Sequence, residues 1–359
     1  CLVGLVEGNS TIGLVAMALV MLWWPFLVLV GLCRAACRGN GGAACPATSR
    51  SCCRCTGRRI GAVRRLASLL PLLAMAACAT APPVRVLGDD VFADGRLAAR
   101  YVHAPYDPAD ERATCKVYHH VFAPDARLLT KGPGGTFEHH RGLFVGWNQT
   151  RQDGRRFDFW HMNRGESQRH RGFVPPQDLG LDAAWQVAAI DWCDADGAAI
   201  VRERRALRAT ALGRGSQALD VVVELRAGGD APVELGGDPQ HSGHQFRALE
   251  AFAPADAPKV TYVRPPGSVA HADDVWTDCA WIAVVLPLAD GPVTVLRVED
   301  PANAAVSRDL RWSTRDYGRF GATCSLTLQP GRPVRLAYRY VVALGALDAA
   351  RCAELARPR

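Results

Sequence analysis

The sequence predicts an all-β fold, a large antiparallel β-sandwich followed by a short C-terminal helix. Apolar and polar residues alternate at 336–340 and 219–224, and this period of two is typical of half-buried strands. Asp-Gly pairs at 94–95, 153–154 and 196–197 supply the positive φ angles of tight hairpins. Helical spacing is convincing only at 347–356. We therefore expect one sandwich domain at 81–345 and a helical tail at 346–359.

Strand-like runs recur along the whole of this region, which is long enough to bury a sizeable core as one unit. The runs that we expect to be strands are 97–102, 117–122, 142–147, 185–190, 199–207, 219–225, 245–252, 281–287, 293–298, 322–328 and 334–342. Neither a Gly-x-Gly-x-x-Gly pattern nor a phosphate-binding Gly-Lys-Ser/Thr pattern occurs, which argues against a nucleotide-dependent enzyme.

The positive charge of the chain comes from its first 80 residues, which hold eight arginines, no lysine and one acid, Glu7. Residues 81–359 carry 34 basic and 34 acidic residues and are neutral overall. A neutral body has no general attraction to phosphate backbones, so we expect no nucleic-acid partner.

Cysteine follows the same division, with seven of thirteen in residues 1–60. The cluster at 52–55 has no zinc-finger spacing and no histidine beside it. The later cysteines are widely spaced and odd in number, which does not suit a disulfide framework, so we expect them to be buried and unreactive. They are Cys115, Cys193, Cys279, Cys324 and Cys352.

The N-terminal region contains two targeting-like segments. Residues 12–32 are uncharged and mostly apolar, long enough for a transmembrane anchor. Residues 63–80 hold Arg64-Arg65, a short apolar core and small residues before Cys78, like a bacterial lipoprotein signal with Val63 as its start. We favour the second interpretation, which makes 1–62 a doubtful extension. The protein is then expected to be exported to the cell envelope, periplasmic or outer-membrane-associated, and lipid-anchored at Cys78.

The candidate site is indicated by histidine, because all ten histidines lie between His103 and His271. They join carboxylates, arginines and aromatics in clusters at 138–141, 157–161 with 170–173, 241–247, and 312–318 with 299–301. Such a mixture suits recognition of a sugar-like molecule and acid–base chemistry near neutral pH. We expect the loop-rich region 103–180 to carry the site. On an extended backbone only one of His139 and His140 would face it, unless the segment is a turn.

Metal binding and a purely structural role remain open for the same residues. Three or four imidazoles could form a metal site with an open position, but no spacing is diagnostic. The imidazoles considered are His139, His140, His170, His241 and His244.

These clusters also carry a resemblance. The order His-His-Arg-Gly-Leu (139–143), Asp-Phe-Trp (158–160), His-Arg-Gly-Phe (170–173), His-Ser-Gly-x-Gln-Phe-Arg-Ala (241–248) and Trp-x-x-Arg-x-Tyr-Gly-x-Phe (312–320) resembles the PmoA-like bacterial family of unknown function. The resemblance covers roughly 96–342. It implies an exported, supersandwich-like protein related to carbohydrate-active folds. The family's label, methane oxygenase, does not suit a polar β-rich body without a membrane span.

The matching positions give the expected site residues. Those expected to be catalytic are His139, His140, Arg141, Asp158 and His170, and those expected to bind substrate are Trp160, His241, His244, Arg247, Arg315 and Tyr317. The chain departs from the family pattern at 112–116 and at 300–303, where a histidine that is usual in relatives is missing. If that histidine binds metal in relatives, metal binding here is in doubt.

The leading hypothesis is a lipid-anchored protein that binds or processes a carbohydrate-like small molecule. If it is an enzyme, we expect His140 or His170 as acid or base, partnered by Asp158 or Glu138. Arg141 and Arg315 would then hold an anionic oxygen. The alternatives are a metal-dependent oxygenase or hydrolase and a non-catalytic envelope lipoprotein.

Overall fold

The computed structural model describes residues 85–357, and two large antiparallel sheets dominate it. The first sheet runs in the order β1-β2-β3-β4-β5-β13-β20-β12-β6-β7, and β19, β16 and β15 extend it from β20. Its strands are β1 (Val86–Leu87), β2 (Asp90–Ala93), β3 (Arg96–Val102), β4 (Tyr118–Val121), β5 (Leu143–Trp147), β6 (Gln149–Gln152), β7 (Arg155–Phe157), β12 (Val233–Gly236), β13 (Ser242–Arg247), β15 (Val269–His271), β16 (Val275–Thr277), β19 (Arg308–Arg315) and β20 (Arg319–Leu328).

The second sheet has the order β14-β17-β18-β21-β11-β10-β9-β8. Its strands are β8 (Ser167–Phe173), β9 (Gln186–Cys193), β10 (Ala199–Gly213), β11 (Ser216–Ala227), β14 (Thr261–Val263), β17 (Trp281–Leu286), β18 (Val293–Glu299) and β21 (Val334–Leu344). The described helices are α1 (Glu111–Thr114) and α2 (Ala349–Leu355), with short 3₁₀ turns at Pro108–Asp110, Pro176–Leu179, Glu250–Phe252, Ala272–Asp274 and Pro301–Ala305.

The two sheets pack face to face around one large core, which confirms the predicted sandwich with its short C-terminal helix. Trp147 of the first sheet lies 6.0 Å from Trp192 of the second, between ring centroids. His244 of β13 bonds through Nδ1 to the Tyr340 hydroxyl of β21 at 2.9 Å. The expected strands are present, but the run at 245–252 leaves the sheet at Arg247 and continues into a 3₁₀ turn.

Side-chain alternation gives the first sheet an inner face towards the core and an outer face away from it. On β13, His244 and Phe246 point inwards, so Gln245 and Arg247 occupy the outer face. On β20, Phe320 points into the core and Arg319 lies on the outer face with Gln245.

Two glycines allow loops to lie directly on this outer face. A Cβ on Gly142, whose φ is +41°, would stand 2.1 Å from the His119 carbonyl oxygen. A Cβ on Gly146 would stand 2.2 Å from the Phe159 carbonyl oxygen. A side chain at Gly142 would force the backbone away from His119 on β4, and one at Gly146 would force it away from Phe159, so both glycines keep these segments in close contact beside the candidate site.

Three further expectations concern the cysteines, membrane-spanning helices and the N-terminal segments. All five cysteines of the described region are buried and free, as expected. None of the helices between residues 85 and 357 combines the length and apolar character that a membrane crossing needs. The segments at 12–32 and 63–80, with Cys78, lie outside the described residues.

Candidate functional site

Five side chains meet on the outer face of the first sheet and form what we call the histidine pocket: His139, His140, Trp160, His161 and His241. They come from three separate loops, one that precedes β5, one that follows β7 and one that precedes β13. His139 and His140 lie in a turn rather than a strand, so both of these adjacent imidazoles can face the same site. His140 and Trp160 are buried, and His161 and His241 are partly exposed at the mouth of the pocket.

The imidazole rings are close neighbours. Ring centroids are separated by 4.2 Å between His139 and His140, 4.5 Å between His139 and His161, and 4.9 Å between His161 and His241. Trp160 lies 5.7 Å from His140 and 6.0 Å from His241. The five side chains therefore form one continuous cluster.

Two of the histidines are held by the same local device. In the Asp158–His161 turn and the Asp238–His241 turn, the aspartate accepts a hydrogen bond from the imidazole Nδ1 three residues later, at 2.8 Å in both. Each aspartate also accepts the backbone N–H two residues after it. In neutral imidazoles this arrangement places the proton on Nδ1 and leaves Nε2 as an acceptor.

Aromatic rings surround the His140 side chain. Phe144 and Trp160, with centroids 4.8 Å apart, lie beneath His140. Phe137 stacks on Tyr317 at 4.8 Å, and both rings flank His140. Apolar ring faces thus lie beside the polar imidazole nitrogens and the indole N–H, an arrangement that suits a ligand with both apolar and polar groups.

Several buried polar atoms of the pocket have no hydrogen-bond partner among the described residues. They are His139 Nε2, both ring nitrogens of His140, Trp160 Nε1, Arg247 Nε and Arg319 Nε. An unsatisfied buried polar group costs roughly 1–3 kcal/mol, so such groups rarely gather without a reason.

Burial also sets the protonation of the deeper histidines. It lowers the pKa of His139 to about 2, and the neighbouring charge of Lys116 acts in the same direction. The pKa of His140 is lowered well below its ordinary value by burial, and by the positive charges of Arg319 and Arg247. Burial opposes ionisation of Asp158, yet its hydrogen bonds from His161 keep its pKa below the usual range. The pocket thus holds the neutral imidazoles of His139 and His140 near the charged Asp158 carboxylate.

A buried lysine joins two of the loops. Lys116 donates from Nζ to the carbonyl oxygens of His139, at 2.9 Å, and Trp160, at 2.5 Å, and lies over the Phe144 ring. Burial lowers the pKa of its ammonium to about 7. We regard Lys116 as a positioning residue because its donors are directed at backbone oxygens.

A second lysine fixes the loop that carries Phe137. Lys131 donates to the carbonyl oxygens of Gly134 and Thr136, and pairs with the Glu250 carboxylate at 3.0 Å. Glu250 also pairs with Arg247 at 3.3 Å. The loop is thereby tied to the end of β13.

Four of the predicted site residues lie elsewhere or are otherwise engaged. Arg141 is buried and donates to the carbonyl oxygens of residues 112, 113 and 116, so its terminal nitrogens support α1 instead of a ligand. His244 faces the sandwich interior and bonds to Tyr340. Each of these two positions is therefore corrected to a structural role.

The other two are displaced by the topology. His170 lies on β8 of the second sheet, where its ring contacts His103 and Tyr101 at the edge between the sheets. Arg315 donates to the carbonyl oxygen of Asp273, in a 3₁₀ turn beside the pocket. His139, His140, Asp158, Trp160, His241, Arg247 and Tyr317 are brought together as expected.

Sequence reasoning did not select several residues of the pocket: Lys116, Lys131, Phe137, His161, Asp238, Gln240 and Arg319. Two signals could have found some of them. The Asp-x-x-His pattern occurs at both 158–161 and 238–241. Lysine is also rare, with Lys116, Lys131 and Lys259 the three lysines among 42 basic residues, and two of them hold the loops of the pocket.

The metal hypothesis has little geometric support. Over residues 85–357, no group of three or more His, Cys, Asp or Glu side chains is arranged to hold a metal ion.

The chain belongs to the family of unknown function DUF6807, whose sequence profile matches residues 90–357. This match does not test the resemblance to the PmoA-like family, which stays a prediction. No curated protein matches the chain.

Solved structures resemble the chain only weakly. A predicted kojibiose phosphorylase from the human microbiome has 9% identity and a TM-score of 0.29, over 72% of this chain and 28% of that one. A heparinase III gene product has 9% identity and a TM-score of 0.25, over 80% and 41%. A GH36 alpha-galactosidase from Geobacillus stearothermophilus, in complex with raffinose, has 10% identity and a TM-score of 0.26, over 75% and 36%. The chain spans less than half of each, and likenesses this weak carry no functional argument.

Proposed function

We propose that the protein binds a carbohydrate-like small molecule in the histidine pocket and acts on it by proton transfer. The observation that carries this proposal is the group of unpartnered polar atoms on His139, His140 and Trp160. Hydroxyl groups of a sugar both donate and accept hydrogen bonds, so they can satisfy imidazole nitrogens and an indole N–H together.

The aromatic rings beside His140 favour a sugar over a purely polar ligand. A sugar ring has an apolar C–H face that stacks on aromatic side chains. Phe137 is 43% exposed and stacks on Tyr317 at the pocket edge, where a ring face could be covered.

The two Asp-x-x-His turns supply the proposed acid–base groups. With Nδ1 held by Asp158 or Asp238, each imidazole presents Nε2 for proton transfer, and the carboxylate stabilises the imidazolium that forms. His161 and His241 are adjacent and partly exposed, so one can accept a proton while the other donates one. These residues replace His170 in the role expected from sequence.

The test is a panel of native and oxidised sugars incubated with the purified protein and followed by NMR. We expect binding or turnover of at least one sugar, and loss of turnover of at least 100-fold in His161→Gln and His241→Gln. His271→Gln is the matched control, because His271 is exposed on β15 and bonds only to Thr277. Failure of every sugar to bind or react would contradict the proposal, and binding without turnover would favour a non-catalytic role.

A metal-dependent oxygenase or hydrolase is a second candidate. It is favoured by the carboxylate partners of His161 and His241, since metal-binding histidines usually donate their other nitrogen to such a group. Elemental mass spectrometry of the purified protein tests it. One tightly held Zn, Fe or Cu per chain would support this candidate, and full activity after chelation and dialysis would rule it out.

We also propose that residues 63–80 export the protein and that Cys78 is its lipid attachment site. Cys78→Ala should move the protein from the membrane fraction to the soluble fraction of its host. An unchanged distribution would contradict the lipid anchor.

A further inference from the structure

Arg319 is a fully buried cation whose neighbours do not balance its charge. Its guanidinium donates to Gln245 Oε1 at 3.3 Å, to Ser313 Oγ at 2.9 Å and to Gln240 Oε1, all of them neutral acceptors. No ion pair involving it occurs within residues 85–357, and its Nε–H has no acceptor. A buried charge normally has a counter-charge, because removing an ion from water is costly.

The other buried guanidinium groups show what is usual in this protein. Burial opposes the charge of Arg205 and Arg297, but Glu203 and Glu299 outweigh it and raise both pKa values. For Arg319, burial lowers the pKa and no carboxylate offsets it. Among the buried arginines of residues 85–357, Arg319 and Arg141 have no carboxylate partner, and Arg141 donates instead to backbone carbonyl oxygens. Arg319 is the one of the two whose acceptors are all side-chain oxygens beside the pocket.

The surroundings of Arg319 are also rich in positive charge and in donors. Lys131 and Arg247 share the Glu250 carboxylate, so these two cations have one carboxylate between them and leave none for Arg319. The unpartnered nitrogens of Trp160, Arg247 and Arg319 can only donate hydrogen bonds. Arg247 lies over the Tyr317 ring at 4.6 Å, and that ring lies 6.3 Å from His140 between centroids. Arg319 lies opposite Arg247 in the pairing of β13 with β20, so both arginines are beside the pocket.

We infer that the ligand of the histidine pocket is an anion and that its anionic oxygen group, in the simplest case the carboxylate of a hexuronic acid, supplies the counter-charge for Arg319. This inference rests on the proposed function for the sugar part of the ligand. Arg247 and the Trp160 indole N–H provide further donors for the same group. A guanidinium is well suited to this task because it stays charged and directs several N–H groups.

The test titrates the ¹⁵N-labelled purified protein with glucuronate, glucose, acetate and inorganic phosphate, and follows the Trp160 indole N–H signal, assigned with Trp160→Phe. We expect glucuronate to bind at least tenfold more tightly than glucose. Arg319→Met should remove that preference by weakening the binding of glucuronate. Arg311→Met is the matched control, because Arg311 is exposed on the neighbouring strand β19, and it should keep the preference.

The outcomes separate the two proposals. If glucose binds as tightly as glucuronate and Arg319→Met changes neither, the anion inference is overturned while the proposed function stands. If acetate or phosphate binds in an Arg319-dependent way but no sugar does, the anion inference stands, the source of the anion is identified and the proposed function fails. If none of the four binds, both are overturned.

Discussion

The sandwich interior and the histidine pocket bury the same kinds of side chain but satisfy them differently. In the interior, Arg205 pairs with Glu203 at 2.6 Å and Arg297 with Glu299 at 2.8 Å. On the outer face of the first sheet, Arg319 has only neutral partners. The interior therefore balances the charge of its buried arginines with carboxylates, whereas Arg319 has no carboxylate partner among the described residues.

The tryptophans show the same contrast. The indole nitrogens of Trp147, Trp192 and Trp312 donate to Cys324 O, Glu203 Oε2 and Cys279 O at 2.7, 2.7 and 2.8 Å. Trp160 is as deeply buried, yet its nitrogen has no acceptor among the described residues. Unpartnered buried atoms also occur elsewhere among the described residues, for example on Trp276 and Arg297, but six of the sixteen lie on five residues in and around the pocket. Such a local concentration is typical of a functional site.

The largest expected effect is on the free energy of unfolding, when one charge is removed from the interior and one from the pocket. Glu203→Gln leaves Arg205 buried without its counter-charge and should lower the free energy of unfolding by about 3–5 kcal/mol. Arg319→Met removes a charge that has no counter-charge, so stability should change by less than about 1 kcal/mol or rise. Urea unfolding at neutral pH measures both. Equal destabilisation by the two substitutions would remove the distinction between the regions.

Acidic pH should lower the stability of the protein, because both regions contain buried histidines that are neutral in the folded state. Burial lowers the pKa of His119 to about 3 and that of His139 to about 2, while an unfolded histidine titrates near 6.5. Below about pH 6.5 the unfolded chain therefore binds more protons, so the stability that is present above this pH is lost as the pH falls. Each histidine contributes up to about 1.4 kcal/mol per pH unit. Urea unfolding at pH 7.5 and 5.5 measures this, and equal stability at the two values would contradict it.

The smallest expected effect compares two tryptophans. Trp147→Phe leaves the Cys324 carbonyl oxygen without its donor, whereas Trp160→Phe removes an indole N–H that has no acceptor. Trp147→Phe should therefore be more destabilising by about 1–2 kcal/mol. Thermal unfolding of the two variants checks the difference, and a larger loss for Trp160→Phe would indicate that its nitrogen is satisfied in solution.

The sandwich could be predicted because its signals are local. Alternation of apolar and polar residues and Asp-Gly turns can each be recognised within a few residues, so the sequence alone predicts the positions of the strands. The failure at 248–252 has a local cause as well, since Arg247 ends its pairing and its side chain turns to Glu250.

The site could be predicted only in part because its membership depends on pairing between distant strands. His244 and Arg247 lie in one motif, but alternation along β13 sends one to the core and the other to the pocket. Arg319 joins the site because β20 pairs with β13, with Arg319 opposite Arg247. His170 lies outside the site because β8 belongs to the second sheet.

The Lys116 contacts have a mechanical consequence for the pocket. One ammonium group binds a carbonyl oxygen in the loop of His139 and another in the loop of Trp160, so neither loop can lift without leaving a buried donor unpaired. The two loops should therefore open together as a single cooperative unit. Entry and escape of any ligand would then both require the same step, in which the Lys116 hydrogen bonds to the two loops break.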